Sequence, residues 1–239
     1  HVPKAMVKVH NIPIIKNQIQ IAKKNNFKNI YAVTGYNTKK IQFSELKKIY
    51  NKNYDKTNMV HSLFIALKRI IKNRSDLIIS YSDIVYNTEV VEKLIKSKNE
   101  ISVVCDDKWK KYWALRFKNP LSDAESCKIN KNNKILDIGQ KVKNYSKINS
   151  QYIGLIKINY SIKRRIYNIL KSEYSNRKKL SNILNSKYYS DLYLTDLLQY
   201  LILNKFKISA LRIKGNWVEI DSLKDYKLAL NITKANNNL

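Results

Sequence analysis

The sequence predicts an α/β protein, because strand-like and helix-like segments alternate along most of its 239 residues. The predicted strands are short runs rich in β-branched residues, and the predicted helices repeat their apolar residues every three or four positions. A chain of this length suits one large domain, which buries roughly 70–75% of the surface that its unfolded state exposes. These observations together favour a layer of sheet covered by helices.

The first half of the chain alternates between the two kinds of segment. Residues 14–26 place their isoleucines on one helical face, and the stretch NIYAVTGY follows as a short strand. Residues 59–71 are the next helix, and DLIISYSD is the strand after it. TEVVEKLIKS is then a helix with Asn87 or Thr88 as its N-cap, and EISVVCDD is another strand.

From about residue 107 the predicted segments become shorter. WKKYWALRF, SCKIN, KILDIG and QYIGLIKIN are interpreted as short strands joined by turns, forming a β-rich half that holds a substrate. Helices follow at 161–173 and 191–204, and the second is apolar almost all round, which predicts burial. The Ser-, Asn- and Lys-rich stretch 175–190 is the best candidate for a mobile loop. The strands KISALRI and NWVEID and a helix capped by Ser222 complete the pattern.

The net charge is strongly positive, with 46 lysines and arginines against 18 aspartates and glutamates, or +28. Such an excess is typical of proteins that bind polyanions. However, lysine far outnumbers arginine and the charge is spread along the chain, as an A/T-rich coding sequence would produce. Nucleic-acid binders cluster their charge and use arginine forks to contact base edges. We therefore expect no nucleic-acid partner, and a small anionic substrate fits better.

The cysteine count and the hydropathy pattern indicate a cytoplasmic protein. Cys105 and Cys127 are too few for a disulfide framework, which fits a reducing compartment. No apolar run approaches the ~18 residues that a membrane span needs. The opening stretch HVPKAMVKVH lacks the long apolar core of a signal peptide.

Three aspartates follow predicted strands: Asp83, Asp106 and Asp221. In open α/β sheets, ligands bind beyond the carboxyl ends of the strands, although aspartate is also a common turn residue. Carboxylates gathered at one edge would repel each other unless a cation lay between them. A small number of hard oxygen ligands suits Mg²⁺ that also holds substrate phosphates, so the sequence indicates a metal site.

Two further patterns could contact a ligand. Lys4 follows Pro3 and could reach a phosphate as a point charge, although most lysines are simply solvated. Trp109, Trp113 and Arg116 lie close together in the sequence. They could form an aromatic wall for an amino-bearing group, with the arginine on a phosphoryl or carboxylate group, or they could pack in the core. Their spacing does not distinguish the two alternatives.

Several stretches together resemble the small bacterial cytidylyltransferases of the sugar-nucleotidyltransferase superfamily. They keep the family's order and are PKAMV, YDKTNMVHSL, ISYSDIVY, DDKWKKYWALRFKNPLSDAES, ILDIGQK, QYIGLIKI and GNWVEIDSLKDYKLA. The resemblance implies transfer of CMP from CTP to phosphoglutamine, 2-aminoethylphosphonate or phosphocholine, with release of pyrophosphate, for surface polysaccharide or lipid decoration. CTP and the acceptor are the implied partners and Mg²⁺ the implied cofactor, and a homodimer is compatible with it.

The resemblance also implies a Rossmann-like, mostly parallel sheet flanked by helices, in a single domain with three parts. Residues 1–106 would bind the nucleotide, residues 107–160 would form a β-rich acceptor part, and residues 161–239 would carry helices and a second metal-ligand strand. The family pattern has a further strand and a glycine-rich loop about two dozen residues ahead of Lys4, whose backbone N–H groups wrap the triphosphate. This sequence does not include them, so we expect a fragment or a truncated reading frame.

The resemblance assigns roles to individual residues. Asp83 and Asp221 would bind the metal, and Lys4 would contact the nucleotide phosphates. Asn58 and Ser82 would join them in the nucleotide pocket. Segments that shape the acceptor site, with a glutamate beside the metal, contain Trp109, Trp113, Arg116, Lys141, Tyr152 and Glu219. Two alternatives stay open: a sugar-phosphate nucleotidyltransferase, and an inactive nucleotide-binding remnant.

Overall fold

The structure is a computed structural model that describes residues 2–176 and 188–235. Its helices lie at Ile14–Lys24 (α1), Met59–Ile70 (α2), Thr88–Lys96 (α3), Trp109–Arg116 (α4), Tyr160–Asn176 (α5), Leu194–Leu203 (α6) and Leu223–Ala235 (α7). Its strands lie at Lys8–Val9 (β1), Ile12–Pro13 (β2), Ile30–Thr34 (β3), Leu46–Tyr50 (β4), Leu77–Ser80 (β5), Ile84–Tyr86 (β6), Ile101–Asp106 (β7), Glu125–Ile129 (β8), Ile135–Lys141 (β9), Gln151–Ile158 (β10), Ile208–Ile213 (β11) and Trp217–Glu219 (β12).

The main sheet has four strands in the order β11-β7-β10-β5. β11 pairs with β7 in parallel, whereas β10 runs antiparallel to both of its neighbours. The strands β5, β7 and β11 therefore share one direction, and β10 is the reversed strand of this sheet. The predicted α/β architecture is confirmed, and three of the four strands of the main sheet run in the same direction. The stretch QYIGLIKIN is a strand as predicted, but it lies in the middle of this sheet.

Smaller sheets extend the fold. β3 pairs with β4 in parallel, and β8 pairs with β9 in antiparallel fashion. β6 and β12 also form an antiparallel pair, in which Ile84 lies opposite Glu219 and Tyr86 lies opposite Trp217. This last pair positions the candidate site, because it joins two segments that are far apart in the sequence.

Apolar clusters fill both faces of β7. Val103 and Cys105 contribute to one cluster together with α2, α5 and α6, whereas Val104 belongs to the other, with α3, α4 and α7. Because successive side chains of a strand point to opposite faces, the run ISVVC can be almost entirely apolar. All six residues of β7 are buried, so neither face of this strand is exposed to solvent.

Helices α1, α2 and α3 are confirmed within a few residues, as is the burial of α6, which buries seven of its ten residues. Asn87 is the N-cap of α3, and its side chain accepts a hydrogen bond of 2.9 Å from the backbone N–H of Glu89. Among the described residues, no helix is long and apolar enough to cross a membrane. Most of the predicted mobile loop at 175–190 lies outside the described residues.

The prediction of a strand at WKKYWALRF is wrong, because these residues form the helix α4. Trp109, Tyr112 and Trp113 are buried at positions i, i+3 and i+4, which lie on one side of a helix. Tyr112 and Trp113 pack against Trp217 of β12, with ring centroids 5.3 Å and 6.1 Å apart. Aromatic residues favour strands in general, and packing on β12 outweighs that propensity here.

We expect Gly154→Ala to destabilise the protein more than Gly215→Ala. Both glycines have positive φ, +89° and +84°, where an L-residue costs ~1–2 kcal/mol. A Cβ at Gly154 would also lie 2.8 Å from the Tyr81 ring, whereas nothing lies within 4 Å at Gly215. The extra crowding should cost a further ~1–3 kcal/mol, measured by urea unfolding of both variants. Equal losses would show that the ring is not a rigid neighbour.

Candidate active site

Two carboxylates meet where β6 begins and β12 ends. Asp83 directly precedes β6, and its backbone oxygen accepts a hydrogen bond of 2.9 Å from the backbone N–H of Ile220, just beyond β12. Asp221 is the next residue, so the strand pairing places the two aspartates side by side. The Asp83 side chain is 18% exposed and that of Asp221 is 43% exposed, so both can meet a ligand from solvent.

The ammonium group of Lys4 lies between these carboxylates. Its Nζ is 3.4 Å from Asp83 Oδ2 and 2.5 Å from Asp221 Oδ1. Lys4 begins a short 3₁₀ turn, Lys4–Met6, in which the backbone N–H of Met6 donates to the Pro3 oxygen and buried Ala5 anchors the segment. A cation between the two acids was expected from their mutual repulsion, and this lysine supplies one.

The backbone that carries Asp83 is held from two sides. The side-chain amide of Gln18 on α1 donates hydrogen bonds of 2.8 Å and 2.9 Å to the backbone oxygens of Tyr81 and Ile84. The Tyr81 N–H donates to the Gly154 oxygen of β10 at 2.9 Å. Sequence reasoning missed Gln18, because a glutamine in a predicted amphipathic helix carries no signal of such a role.

Arg116 of α4 brings a second cation to Asp221 and pairs with two further acids, Glu219 and Asp225. Its side chain is 1% exposed. Nε lies 2.9 Å from Asp225 Oδ1, Nη1 lies 2.5 Å from Glu219 Oε2, and Nη2 lies 3.1 Å from Asp221 Oδ2. Arg116 was predicted to contact a carboxylate or phosphoryl group of the acceptor, and the carboxylates that it contacts here belong to the protein.

Asp225 lies in the first turn of α7 and was not singled out from the sequence. Its Oδ2 accepts hydrogen bonds from the Ser222 N–H at 3.0 Å and from the Ser222 hydroxyl at 2.9 Å. In return, the Asp225 N–H donates to Ser222 Oγ at 3.1 Å, which confirms Ser222 as the predicted N-cap. The spacing S-x-x-D resembles a capping box and could have identified Asp225.

The two tryptophans of the predicted aromatic wall are 4% exposed and lie in the core. The Trp109 and Trp113 rings meet edge to face with centroids 6.0 Å apart, and Trp113 continues the packing onto Trp217. The packing alternative therefore describes these side chains. Their predicted contribution to the acceptor site stays a prediction.

Four other residues were predicted to belong to the site: Ser82, Tyr152, Asn58 and Lys141. Ser82 is exposed and adjacent to Asp83, and the Tyr152 ring lies edge-on to Tyr81 at 5.6 Å. Asn58 caps α2, where its side chain accepts from the Met59 N–H at 2.8 Å. Lys141 is exposed at the end of β9. Direct contacts therefore unite Lys4, Asp83, Arg116, Glu219 and Asp221.

Asp106, the third aspartate that follows a predicted strand, supports a turn. It is 1% exposed, and its carboxylate accepts hydrogen bonds from the backbone N–H groups of Lys108 and Gly215 and from the indole N–H of Trp217. Three donors satisfy it within the protein. The interpretation of Asp106 as an ordinary turn residue therefore fits this structure.

Burial shifts the pKa values of the acids in the site. Burial raises the pKa of Asp83, the Lys4 charge opposes this, and the Asp221 charge adds to it. Burial likewise raises the pKa of Glu219 to about 7, against the attraction of Arg116 and with the repulsion of Asp221. For Lys4, burial lowers the pKa, but the hydrogen bonds and charges of Asp221 and Asp83 together raise it.

The site retains negative charge that a further cation could balance. Ion pairs link four carboxylates, Asp83, Glu219, Asp221 and Asp225, to two cations, which leaves two negative charges when all are ionised. Asp83 Oδ1 is buried and has no hydrogen-bond partner among the described residues. No described group of three or more His, Cys, Asp or Glu side chains is arranged to hold a metal alone. Two carboxylates, of which Asp83 has one unpartnered oxygen, fit an ion such as Mg²⁺ that completes its ligands with water and phosphate.

Comparison with known proteins gives both a family and individual relatives. Residues 1–141 match the family model for the MobA-like NTP transferase domain. The chain is 37% identical over 242 residues to the CTP:phosphoglutamine cytidylyltransferase of Campylobacter jejuni subsp. jejuni serotype O:2, covering 95% of this chain and 91% of that protein.

Solved structures share the fold at low sequence identity. The CTP:phosphocholine cytidylyltransferase of Streptococcus pneumoniae superposes with a TM-score of 0.69 at 17% identity, covering 97% of this chain and 90% of that one. The inositol-1-phosphate CTP transferase of T. maritima gives a TM-score of 0.69 at 16% identity, covering 98% and 88%. A putative glucose-1-phosphate thymidylyltransferase of Bacillus anthracis gives 0.70 at 14%, covering 97% and 86%.

We expect Asp83→Asn to stabilise the metal-free protein near neutral pH. The pKa of Asp83 is raised by folding, so wild type loses stability as the pH rises through that pKa, whereas asparagine does not ionise. The gain should therefore be present at about pH 7 and absent at about pH 3, where both states of wild type are protonated. Denaturant unfolding with a chelator present measures it. A gain that is equal at both pH values would contradict the argument.

Proposed function

Because this chain belongs to the MobA-like NTP transferase domain family, we propose that it is a cytidylyltransferase that transfers CMP from CTP to a small phosphorylated acceptor and releases pyrophosphate. The observation that carries the proposal is the pair Asp83 and Asp221, bridged by Lys4 at the edge of the fold. The relative that is 37% identical over nearly the whole chain bears the name of such an enzyme. The resemblance to cytidylyltransferases that the sequence stretches indicate is thereby confirmed.

The reaction needs two anions to meet, and it does not need a strong base. A phosphate oxygen of the acceptor forms a bond to the α-phosphorus of CTP, and the bond from that phosphorus to the bridging oxygen breaks, so that pyrophosphate leaves with the electron pair. A phosphate monoester is largely ionised at neutral pH, because its second pKa is ~6. The described histidines fit this scheme, since His10 bonds to Thr233 and His61 packs among aromatic rings.

Different residues of the site would hold those anions in different ways. Asp83 and Asp221 would hold Mg²⁺, which supplies charge neutralisation for the phosphates. Lys4 has 53% of its side chain exposed, so its ammonium is available to a phosphate oxygen of the nucleotide. We place Ser82 beside the nucleotide because it is exposed next to Asp83, and Asn58 there on the family resemblance alone.

Phosphoglutamine is the acceptor that we propose first, because it stands in the name of the 37% identical relative. We assign Trp109 and Trp113 an indirect part, in which their packing shapes the wall of the acceptor site. Lys141 and Tyr152 are proposed to line it. We also propose that the chain has three parts, divided after residues 106 and 160. We propose in addition a cytoplasmic location, which the small number of cysteines supports.

Substrate choice is tested by pyrophosphate release. The protein is assayed with CTP, UTP and dTTP, each against phosphoglutamine, 2-aminoethylphosphonate, phosphocholine and glucose 1-phosphate. We expect the highest kcat/KM for CTP with phosphoglutamine, and release that depends on a divalent metal. Highest turnover with glucose 1-phosphate would favour a sugar-phosphate nucleotidyltransferase, and no release with any pair would favour a nucleotide-binding remnant.

Removing either aspartate of the site should abolish most activity. We expect Asp83→Asn and Asp221→Asn each to lower kcat by ~10²-fold or more, which corresponds to about 3 kcal/mol of transition-state stabilisation. Steady-state kinetics with CTP and the preferred acceptor measures this loss. Asp107→Asn is the matched control, because Asp107 pairs with Arg212 outside the site at 2.9 Å, and it should leave kcat near wild type. Near-normal turnover of Asp83→Asn would refute the assignment.

A further inference from the structure

We infer that Asp225 and Arg116 are positioning residues that fix the carboxylate of Asp221 for metal binding. The inference rests on the proposed function, in which Asp221 holds the metal. It gives Arg116 a different role from contact with the acceptor, and it gives Asp225 a role in the reaction. These roles follow from the geometry of the buried Arg116 guanidinium and of the N-terminus of α7 beside it.

The guanidinium of Arg116 holds Asp221 by one oxygen only. Nη2 donates to Asp221 Oδ2 at 3.1 Å, while Asp221 Oδ1 lies 2.5 Å from Lys4 Nζ and so faces Asp83. A carboxylate that is 43% exposed would otherwise rotate freely in water. Fixing Oδ2 therefore determines where Oδ1 points.

Asp225 in turn fixes the guanidinium. Arg116 Nε donates to Asp225 Oδ1 at 2.9 Å, and Nη2 lies 3.5 Å from Asp225 Oδ2. The Asp225 side chain is 5% exposed, so the pair is almost free of solvent competition. The planar fork of an arginine can then hold only one orientation, with its other nitrogens directed at Asp221 and Glu219.

Asp225 also holds the backbone at Asp221. Its Oδ2 accepts from the Asp221 N–H at 3.3 Å and from the Ser222 N–H at 3.0 Å. The same carboxylate thus fixes the main chain of Asp221 directly and its side chain through Arg116. Groups that orient a metal ligand commonly change metal affinity or activity by about 10- to 100-fold when removed.

A purely structural role for this ion pair is the competing explanation. Arg116 lies at the end of α4 and Asp225 in α7, and Lys224 Nζ also donates to the Arg116 backbone oxygen at 2.5 Å, so these contacts join the two helices. A joint of that kind would change stability alone. A positioning role would change metal affinity in protein that is still folded, and this difference separates the two explanations.

Asp225→Asn tests the inference, because it keeps the size of the side chain and removes its charge. Mn²⁺ is the probe, and electron paramagnetic resonance of free Mn²⁺ gives the Kd of the full chain without substrates. We expect cooperative unfolding to persist and Mn²⁺ to bind about 10- to 100-fold more weakly than to wild type. Asp107→Asn, which removes the acid of the Arg212 ion pair, is the matched control and should bind Mn²⁺ as wild type does.

An unchanged Mn²⁺ Kd in folded Asp225→Asn, with or without a lower melting temperature, would overturn the inference. Should that variant not fold, Ser222→Ala removes one hydroxyl donor to Asp225 and should weaken Mn²⁺ binding in the same direction by about fivefold. No change there would overturn it equally. Turnover of CTP is measured on the same wild-type sample. Wild type that binds Mn²⁺ but does not use CTP would refute the proposed function and leave the positioning role standing.

Discussion

The candidate site depends on the antiparallel pairing of β6 with β12. Only three residue pairs form this ladder. Because the two strands are antiparallel, the start of β6 and the end of β12 lie together, and this register brings Asp83 close to Asp221. A shift of one residue would turn one of the acids to the opposite face, because successive side chains of a strand alternate. The aromatic packing of Trp217 against α4 and the clamp of Gln18 on the Tyr81–Ile84 turn hold that register in place.

Local charge at the site runs against the charge of the whole chain. The protein carries +28 overall, but its linked acids and cations leave a negative excess at this one edge. Burial makes that excess costly, as the raised pKa values of Asp83 and Glu219 show. Lys4 and Arg116 offset part of this electrostatic cost. The Lys4 side chain is exposed and can move to a ligand, whereas the Arg116 side chain is buried and fixed. A negative excess of this kind attracts cations.

Much of the architecture could be predicted because it is encoded locally. Apolar spacing identified α1, α2, α3 and α6, and short strand-like runs that end on acids identified β5 and β12, which Asp83 and Asp221 follow. The strand predicted at 109–117 failed because aromatic residues favour strands in isolation, whereas their i, i+3, i+4 spacing becomes decisive once Trp217 is present to pack against. Gln18 could not have been found in this way, since its role exists only through a tertiary contact. Asp225 could have been identified from the S-x-x-D capping pattern, but its contact with Arg116 is visible only in the folded chain.

The bridge between Lys4 and Asp221 spans 217 positions of the sequence. During synthesis on the ribosome, Lys4 therefore lacks its second acid until 217 further residues have been added. Contacts of such long separation close late, because the loop between them must be ordered first. The pairing of Lys4 with both acids is thus absent from every nascent chain that has not yet reached Asp221.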